Sequence, residues 1–181
     1  MENNCVSCGE IIPEGRQYCP QCEPPVIKDS GNRRQFDSGA VRDIQEGKGR
    51  CDLLPLDVIA EFYSDDVIRN IHNFTKDGDV TWLYNALALT MPKFGCYSNM
   101  FLEVAKHFEE GAKKYGEYNW QKGIPTHCYI DSALRQLLKW IRKDNDEPHD
   151  RAFVWNILCC IWTCQHLPEC NDYGKTSEKI L

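Results

Sequence analysis

Two cysteine pairs, Cys5-x2-Cys8 and Cys19-x2-Cys22, constrain the start of this chain more tightly than any apolar pattern does. Ten residues separate the pairs, and a segment this short cannot enclose a core, so a bound ion has to supply its folding energy. Two such knuckles bring four thiolates into a tetrahedron around Zn2+, and Gly9 after the first pair allows the tight turn this requires. With every position filled by a cysteine no coordination site stays open, so the expected zinc is structural rather than catalytic. A pair of disulfides is the competing arrangement. The opening Met-Glu-Asn-Asn-Cys lacks the basic-then-apolar order of a secretory signal, which points to a reducing, cytoplasmic setting and away from disulfides. The other seven cysteines (51, 96, 128, 159, 160, 164 and 170) show no pairing pattern. Cys159, Cys160 and Cys164 lie in an apolar helical run, where cysteine serves as a small buried hydrophobe.

Behind the ribbon the chain reads as helical. The expected organisation is a zinc ribbon at 1–24, a polar linker at 25–35, a helical domain at 36–167 and a flexible tail at 168–181. Pro55 suits the first position of a helix over 56–63, and Ser64 reads as the N-cap of another running to about 74. Further helices are expected over 80–89, 99–115, 126–142 and 148–166, punctuated by Gly78, Pro92, Gly116 and Pro168. In the helix over 126–142, Leu134, Leu137, Leu138 and Ile141 recur near the helical period. No segment outside the ribbon alternates like a strand. The expected fold is therefore all-α, a bundle of five or six helices with an N-terminal four-cysteine zinc ribbon. No run reaches the roughly 18 apolar residues of a membrane span. A formal charge of −6 disfavours a general nucleic-acid-binding protein, which needs a basic footprint, but leaves room for a local basic pocket.

Several polar residues have both a chemical and a plain reading. On a wheel of the 99–115 helix, Ala105, Phe108, Ala112 and Tyr115 define the expected core face, with His107, Glu110 and Lys114 opposite. Glu109 falls at the flank of that face, where a carboxylate needs a cation, a hydrogen bond or a metal. Asp131 has Arg135 one turn on and could simply pair with it. Asp144, Asp146, Glu147, His149 and Asp150 cluster at a helix start, where acids either complement the dipole or chelate a hard ion; Glu147-x-x-Asp150 would put two carboxylates on one face. Asn156 lies among apolar neighbours and should be buried and hydrogen-bonded. Residues 39–50 hold three glycines with Arg42, Lys48 and Arg50, a composition that suits a loop approaching phosphates or an exposed flexible one.

Phe36-Asp-Ser-Gly-Ala-Val-Arg-Asp, Glu46-Gly-Lys-Gly-Arg-Cys-Asp-Leu-Leu-Pro55, Glu110-Gly-Ala-Lys-Lys-Tyr-Gly-Glu-Tyr-Asn-Trp120, Asp131-Ser-Ala-Leu-Arg-Gln-Leu-Leu-Lys139 and His149 through Asn156 occur in this order. Together they resemble the phage-associated dATP/dGTP diphosphohydrolase N-terminal family over about 36–166. The resemblance implies a MazG-like, all-α enzyme that converts a purine dNTP to a monophosphate and pyrophosphate, with carboxylates holding Mg2+ or Mn2+. It implies Glu109, Glu110, Asp131, Glu147, His149 and Asp150 as the catalytic metal pool. Arg42, Lys48, Arg50 and Lys114 become phosphate partners, and Asn119, Trp120 and Asn156 nucleoside contacts. It also implies a homo-oligomer, dimer or tetramer, in the cytoplasm (the host's, if phage-encoded). The zinc ribbon falls outside the resemblance and could recruit a protein partner. Two departures stand out: the Glu109 helix lacks the Glu-x-x-Glu of MazG-like enzymes, and Gln136 replaces a His. They leave open a non-catalytic protein that binds or sequesters a nucleotide.

Overall fold

The computed structural model describes residues 3–5, 8–14, 19–22 and 30–174. Among them are six α-helices: α1 (Leu56–Tyr63), α2 (Asp66–Asp77), α3 (Thr81–Thr90), α4 (Tyr97–Tyr115), α5 (Thr126–Arg142) and α6 (His149–His166). The long pair α5 and α6 forms the centre, with α4 against α6 and α1 to α3 packed in sequence beside them. Ile130, Leu134 and Leu137 of α5 meet Phe153, Val154 and Ile157 of α6, joined by Ile71 and Phe74 of α2 and Leu83 of α3. Each such side chain contributes about 1.5–3 kcal/mol by leaving water. Cys128, Cys159 and Cys160 are buried in this core as small apolar groups, and no cysteine among the described residues is disulfide-bonded. No helix among the described residues is long and apolar enough to cross a membrane.

Three local features differ from the sequence reading. Strands β1 (Arg33–Gln35) and β2 (Val41–Asp43) form an antiparallel hairpin where a linker and a loop are expected. Three residues per strand are too few to show alternation; the turn between them closes through Phe36 N to Ala40 O at 2.9 Å, with Gly39 at φ 80°. Second, Asp65 rather than Ser64 caps α2, accepting from the amides of Val67 and Ile68 at 2.9 and 3.0 Å. Its carboxylate complements the helix dipole, while Ser64 takes a left-handed conformation that ends α1. Third, the tail is docked as far as Gly174. Asp172 accepts from the His127 amide at 2.9 Å and pairs with its ring at 2.8 Å, and the Tyr173 ring meets Phe74 edge-on at 5.3 Å. The remainder of the expected flexible tail, 175–181, lies outside the described residues, as does the first part of the expected linker, 25–29.

Candidate functional site

The four ribbon cysteines converge. One sulfur from each of Cys5, Cys8, Cys19 and Cys22 lies within 4.8 Å of the others. Gly9, at φ 78°, donates its amide to Cys5 O at 2.9 Å, and Cys22 N reaches Cys19 O at 3.0 Å, the turns that aim each pair inward. Ile12 packs against Cys5 and Cys19 as the one apolar side chain behind them among the described residues.

A larger site lies in the helical part. The β-hairpin, the loop after it, the second half of α4, one face of α5 and the start of α6 enclose a cavity of about 930 Å3. Asn119 holds the hairpin in place: its side chain accepts from Val41 N at 2.9 Å and donates to Val41 O at 2.7 Å. From β2, Arg42 enters the cavity with its guanidinium 4.8 Å from the Tyr129 ring and 5.9 Å from that of Trp155. Its Nη2 donates to Asn156 Oδ1 at 2.8 Å and to Ser132 Oγ at 3.1 Å, but Nη1 is buried with no partner. Arg34 is directly opposite in the ladder, so both side chains share one face of the hairpin. Arg34 donates to Gln45 Oε1 at 2.9 Å and leaves Nε buried and bare. Neither arginine has an ion-pair partner among the described residues. Two more bare buried nitrogens, His107 Nδ1 and Trp155 Nε1, belong to residues of the same wall.

Two other expected cations are matched. Lys48 pairs with Asp43, and Arg50 with Asp52, which raises the Arg50 pKa further. Arg50 and Lys114 do not line the cavity. Asp131 is a scaffold group rather than a vacant ligand. It accepts from Cys51 N at 2.6 Å, from Gln45 Nε2 at 3.0 Å and from Arg135. Arg135 also donates to Lys48 O and Gly49 O at 3.0 and 3.1 Å, so this pair pins the basic loop to α5.

The expected metal pool does not assemble. Glu109, the sharper candidate from the wheel, is exposed at the cavity rim and paired with Lys113 at 2.5 Å. The buried stripe of α4 is Met100, Val104 and His107, rotated from the expected one: Ala105 is exposed and His107 is buried. Glu110 instead reaches α6 and pairs with Arg151 at 2.5 Å. Glu147 precedes α6, so it shares no helical face with Asp150, which accepts from its neighbour's amide, Arg151 N, at 2.7 Å. Glu147 accepts from Gln136 Nε2 at 3.2 Å. His149 sits behind the wall, bonded at Nδ1 to Gln136 Oε1 at 2.5 Å and at Nε2 to Asp146 Oδ1 at 2.8 Å. Asp144, Asp146 and His149 do bring ligand atoms within 4.8 Å of one another, but Arg142 holds Asp144 and Lys139 holds Asp146.

Of the expected nucleoside contacts, Trp120 lines the cavity with its ring edge-on to Phe108 at 5.4 Å. Asn119 and Asn156 line it too, but their amides are spent on β2 and on Arg42 and Ala152 O. Sequence reasoning misses Arg34, which falls in the segment read as linker, and His107, which it places outside. The one available signal for Arg34 is its neighbour Arg33 in a polar run.

No curated protein and no solved structure matches this chain. A family model does, the one described as dATP/dGTP diphosphohydrolase, N-terminal, over residues 86–173. The expected resemblance over 36–166 is thereby met from α3 onward, whereas the opening motifs at 36–55 lie before the matched residues. The match takes in the α4, α5 and α6 walls of the cavity; the hairpin that carries Arg34 and Arg42 precedes it. From the middle of α3 to the docked end of the tail, the chain is similar to the dATP/dGTP diphosphohydrolase N-terminal family.

Proposed function

We propose that the cavity binds a purine deoxynucleoside triphosphate and that the chain hydrolyses it to the monophosphate and pyrophosphate, as its family description suggests. The observation that supports this is the pair Arg34 and Arg42. Like charges directly opposite in a ladder repel, and a half-buried guanidinium with one nitrogen sealed from water and no counter-charge is costly; both are relieved by a polyanion in the cavity. Guanidinium groups grip phosphate oxygens through paired N–H donors, and Arg42 arrives already oriented by Asn156 and Ser132. In the reaction water adds to the α-phosphorus and the α–β bridging bond breaks. The two arginines would hold the phosphates in line and offset charge that builds on the departing pyrophosphate.

The carboxylates of the expected pool already serve a cation, an amide or Gln136, and the acidic set that does converge among the described residues, Asp144, Asp146 and His149, is engaged by Arg142 and Lys139, so the pool builds no preformed Mg2+ or Mn2+ cage. The same observation favours a second reading, a non-catalytic protein that sequesters the nucleotide. Incubating the full chain with Mg2+ or Mn2+ and each dNTP, then separating products by ion exchange, decides between them. Monophosphate and pyrophosphate from dGTP or dATP support hydrolysis; binding by calorimetry without products selects the sequestering protein. No binding of any dNTP would sink both.

Zn2+ belongs to the same proposal. Four converging thiols in a closed set suit a structural zinc, and the ribbon could recruit a protein partner. A dimer or tetramer, as the resemblance implies, would be measured by light scattering, where a monomer at micromolar concentration would count against it.

A further inference from the structure

Two of the four bare nitrogens around the cavity are uncharged, and phosphate binding does not account for them. Trp155 Nε1 and His107 Nδ1 are both buried without a hydrogen-bond partner among the described residues, and their ring centroids lie 5.3 Å apart. His107 is 8% exposed, so it is enclosed by the wall rather than held at the rim. Buried polar groups in native proteins are almost always paired, so two neighbouring exceptions in the wall of one cavity point to a ligand. Both rings are held in place. Trp155 meets Phe108 edge-on at 5.8 Å and carries the Arg42 guanidinium 5.9 Å from its centre.

The two groups differ in what they can recognise. An indole N–H only donates, whereas Nδ1 of a neutral imidazole donates in one tautomer and accepts in the other. Burial, followed by the nearby charges of Arg151, Lys114 and Arg42, pushes the His107 pKa down to about 3, so the ring is neutral at pH 7. The wall thus offers one fixed donor beside one group able to act either way. A purine presents the matching edge: N7 accepts in both adenine and guanine, while position 6 donates as the adenine amino group and accepts as the guanine carbonyl. Pyrimidines place a carbon where N7 would be.

Resting on the nucleotide-binding reading above, we infer that Trp155 and His107 determine base specificity, Trp155 donating to purine N7 and His107 reading position 6 as either donor or acceptor. The wall then selects purine over pyrimidine while accepting adenine and guanine alike. Arg34 and Arg42, on the hairpin side, take the phosphates of the same molecule.

The test is calorimetric titration of the full chain, in buffer free of divalent ions, with dGTP, dATP, dCTP, dTTP and the 7-deaza forms of both purines. Removing N7 should weaken each purine by about tenfold, the worth of one hydrogen bond to a buried donor. Trp155→Phe should weaken the ordinary purines by a similar factor and erase the difference between N7 and 7-deaza forms. His107→Gln, whose amide also donates or accepts, should keep both purines, and His107→Leu should weaken both. The deaza comparison on the unaltered chain stands even if a variant fails to fold. Purines that bind equally well with and without N7 would overturn this inference and leave nucleotide binding intact. If no dNTP binds, the inference falls together with the reading beneath it.

Discussion

Two sides of one cavity treat half-buried cations in opposite ways. On the α5 side, Arg135 is matched to Asp131 and further tied to two loop carbonyls, and Lys139 is matched to Asp146. On the hairpin side, Arg34 and Arg42 stand opposite one another with amide and hydroxyl partners but no carboxylate among the described residues. A matched pair returns its desolvation cost within the fold and acts as scaffold. An unmatched pair leaves that cost to whatever enters the cavity. Charge alone would not separate the two sides, since both carry half-buried cations. What separates them is whether an acid meets each cation.

Breaking the scaffold side should give the largest effect. Asp131→Ala strands Arg135 and removes the acceptor for Cys51 N and Gln45, at a cost of about 3–5 kcal/mol, the usual result of breaking a buried pair. Urea denaturation would read it, and a loss under about 1 kcal/mol would mean the pair is not scaffold. Next comes Arg42→Met, which should cost about 2–4 kcal/mol of dNTP binding by calorimetry while leaving stability unchanged or slightly raised, because it removes an unmatched half-buried charge. A large loss of stability would place Arg42 with the scaffold cations instead. Asn156→Asp reverses the logic: it supplies Arg42 with the missing carboxylate. Stability should rise by about 1 kcal/mol and binding weaken by about tenfold, so a variant that binds more tightly would break the comparison.

How far each side is legible in the sequence follows from the same physics. The bounds of α1 and α5 are readable because a proline, Pro55 or Pro125, stands directly before each first helical residue and the residues after Arg142 mark the end of α5 locally. The Asp131–Arg135 pair is legible because its spacing is set by the helix alone. The unmatched side is not. Arg42 emerges from composition, but Arg34 becomes its partner only through a hairpin of three-residue strands, too short to leave a period. His107 is misplaced because the second half of α4 lines the cavity, so the aromatic and small residues there, Phe108, Ala112 and Tyr115, are only half-buried and do not mark the buried stripe. The metal pool fails for a related reason: spacing places carboxylates on a helix but says nothing of which cations the other helices bring to them, as Arg151 does to Glu110.

The smallest expected effect concerns a matched pair away from the cavity, His127 with Asp172. The hydrogen bond to Asp172, and then that to Cys128, lift the His127 pKa from 6.5 to about 10. A raised pKa means that the folded state favours the charged ring, so this stability is fully present below 6.5 and is lost as pH rises through 10. For Asp172 burial by itself raises the pKa, but the His127 ring and amide outweigh it and hold the carboxyl below its ordinary 3.8. Its share is therefore present above 3.8 and lost on acidification below that. The pair is strongest between those limits, from about pH 4 to 6.5. Both side chains are about one-third exposed, at 35% and 38%, so solvent screening limits the pair to less than about 1 kcal/mol, or about 2–4 °C in Tm. Thermal melts at about pH 6, 8 and 10 should show the gap between the unaltered chain and His127→Leu closing as pH rises. Nucleotide affinity of that variant at about pH 6 should equal that of the unaltered chain, because the pair holds the tail and not the arginines. A gap that stays constant with pH would show that His127 contributes by packing rather than by charge.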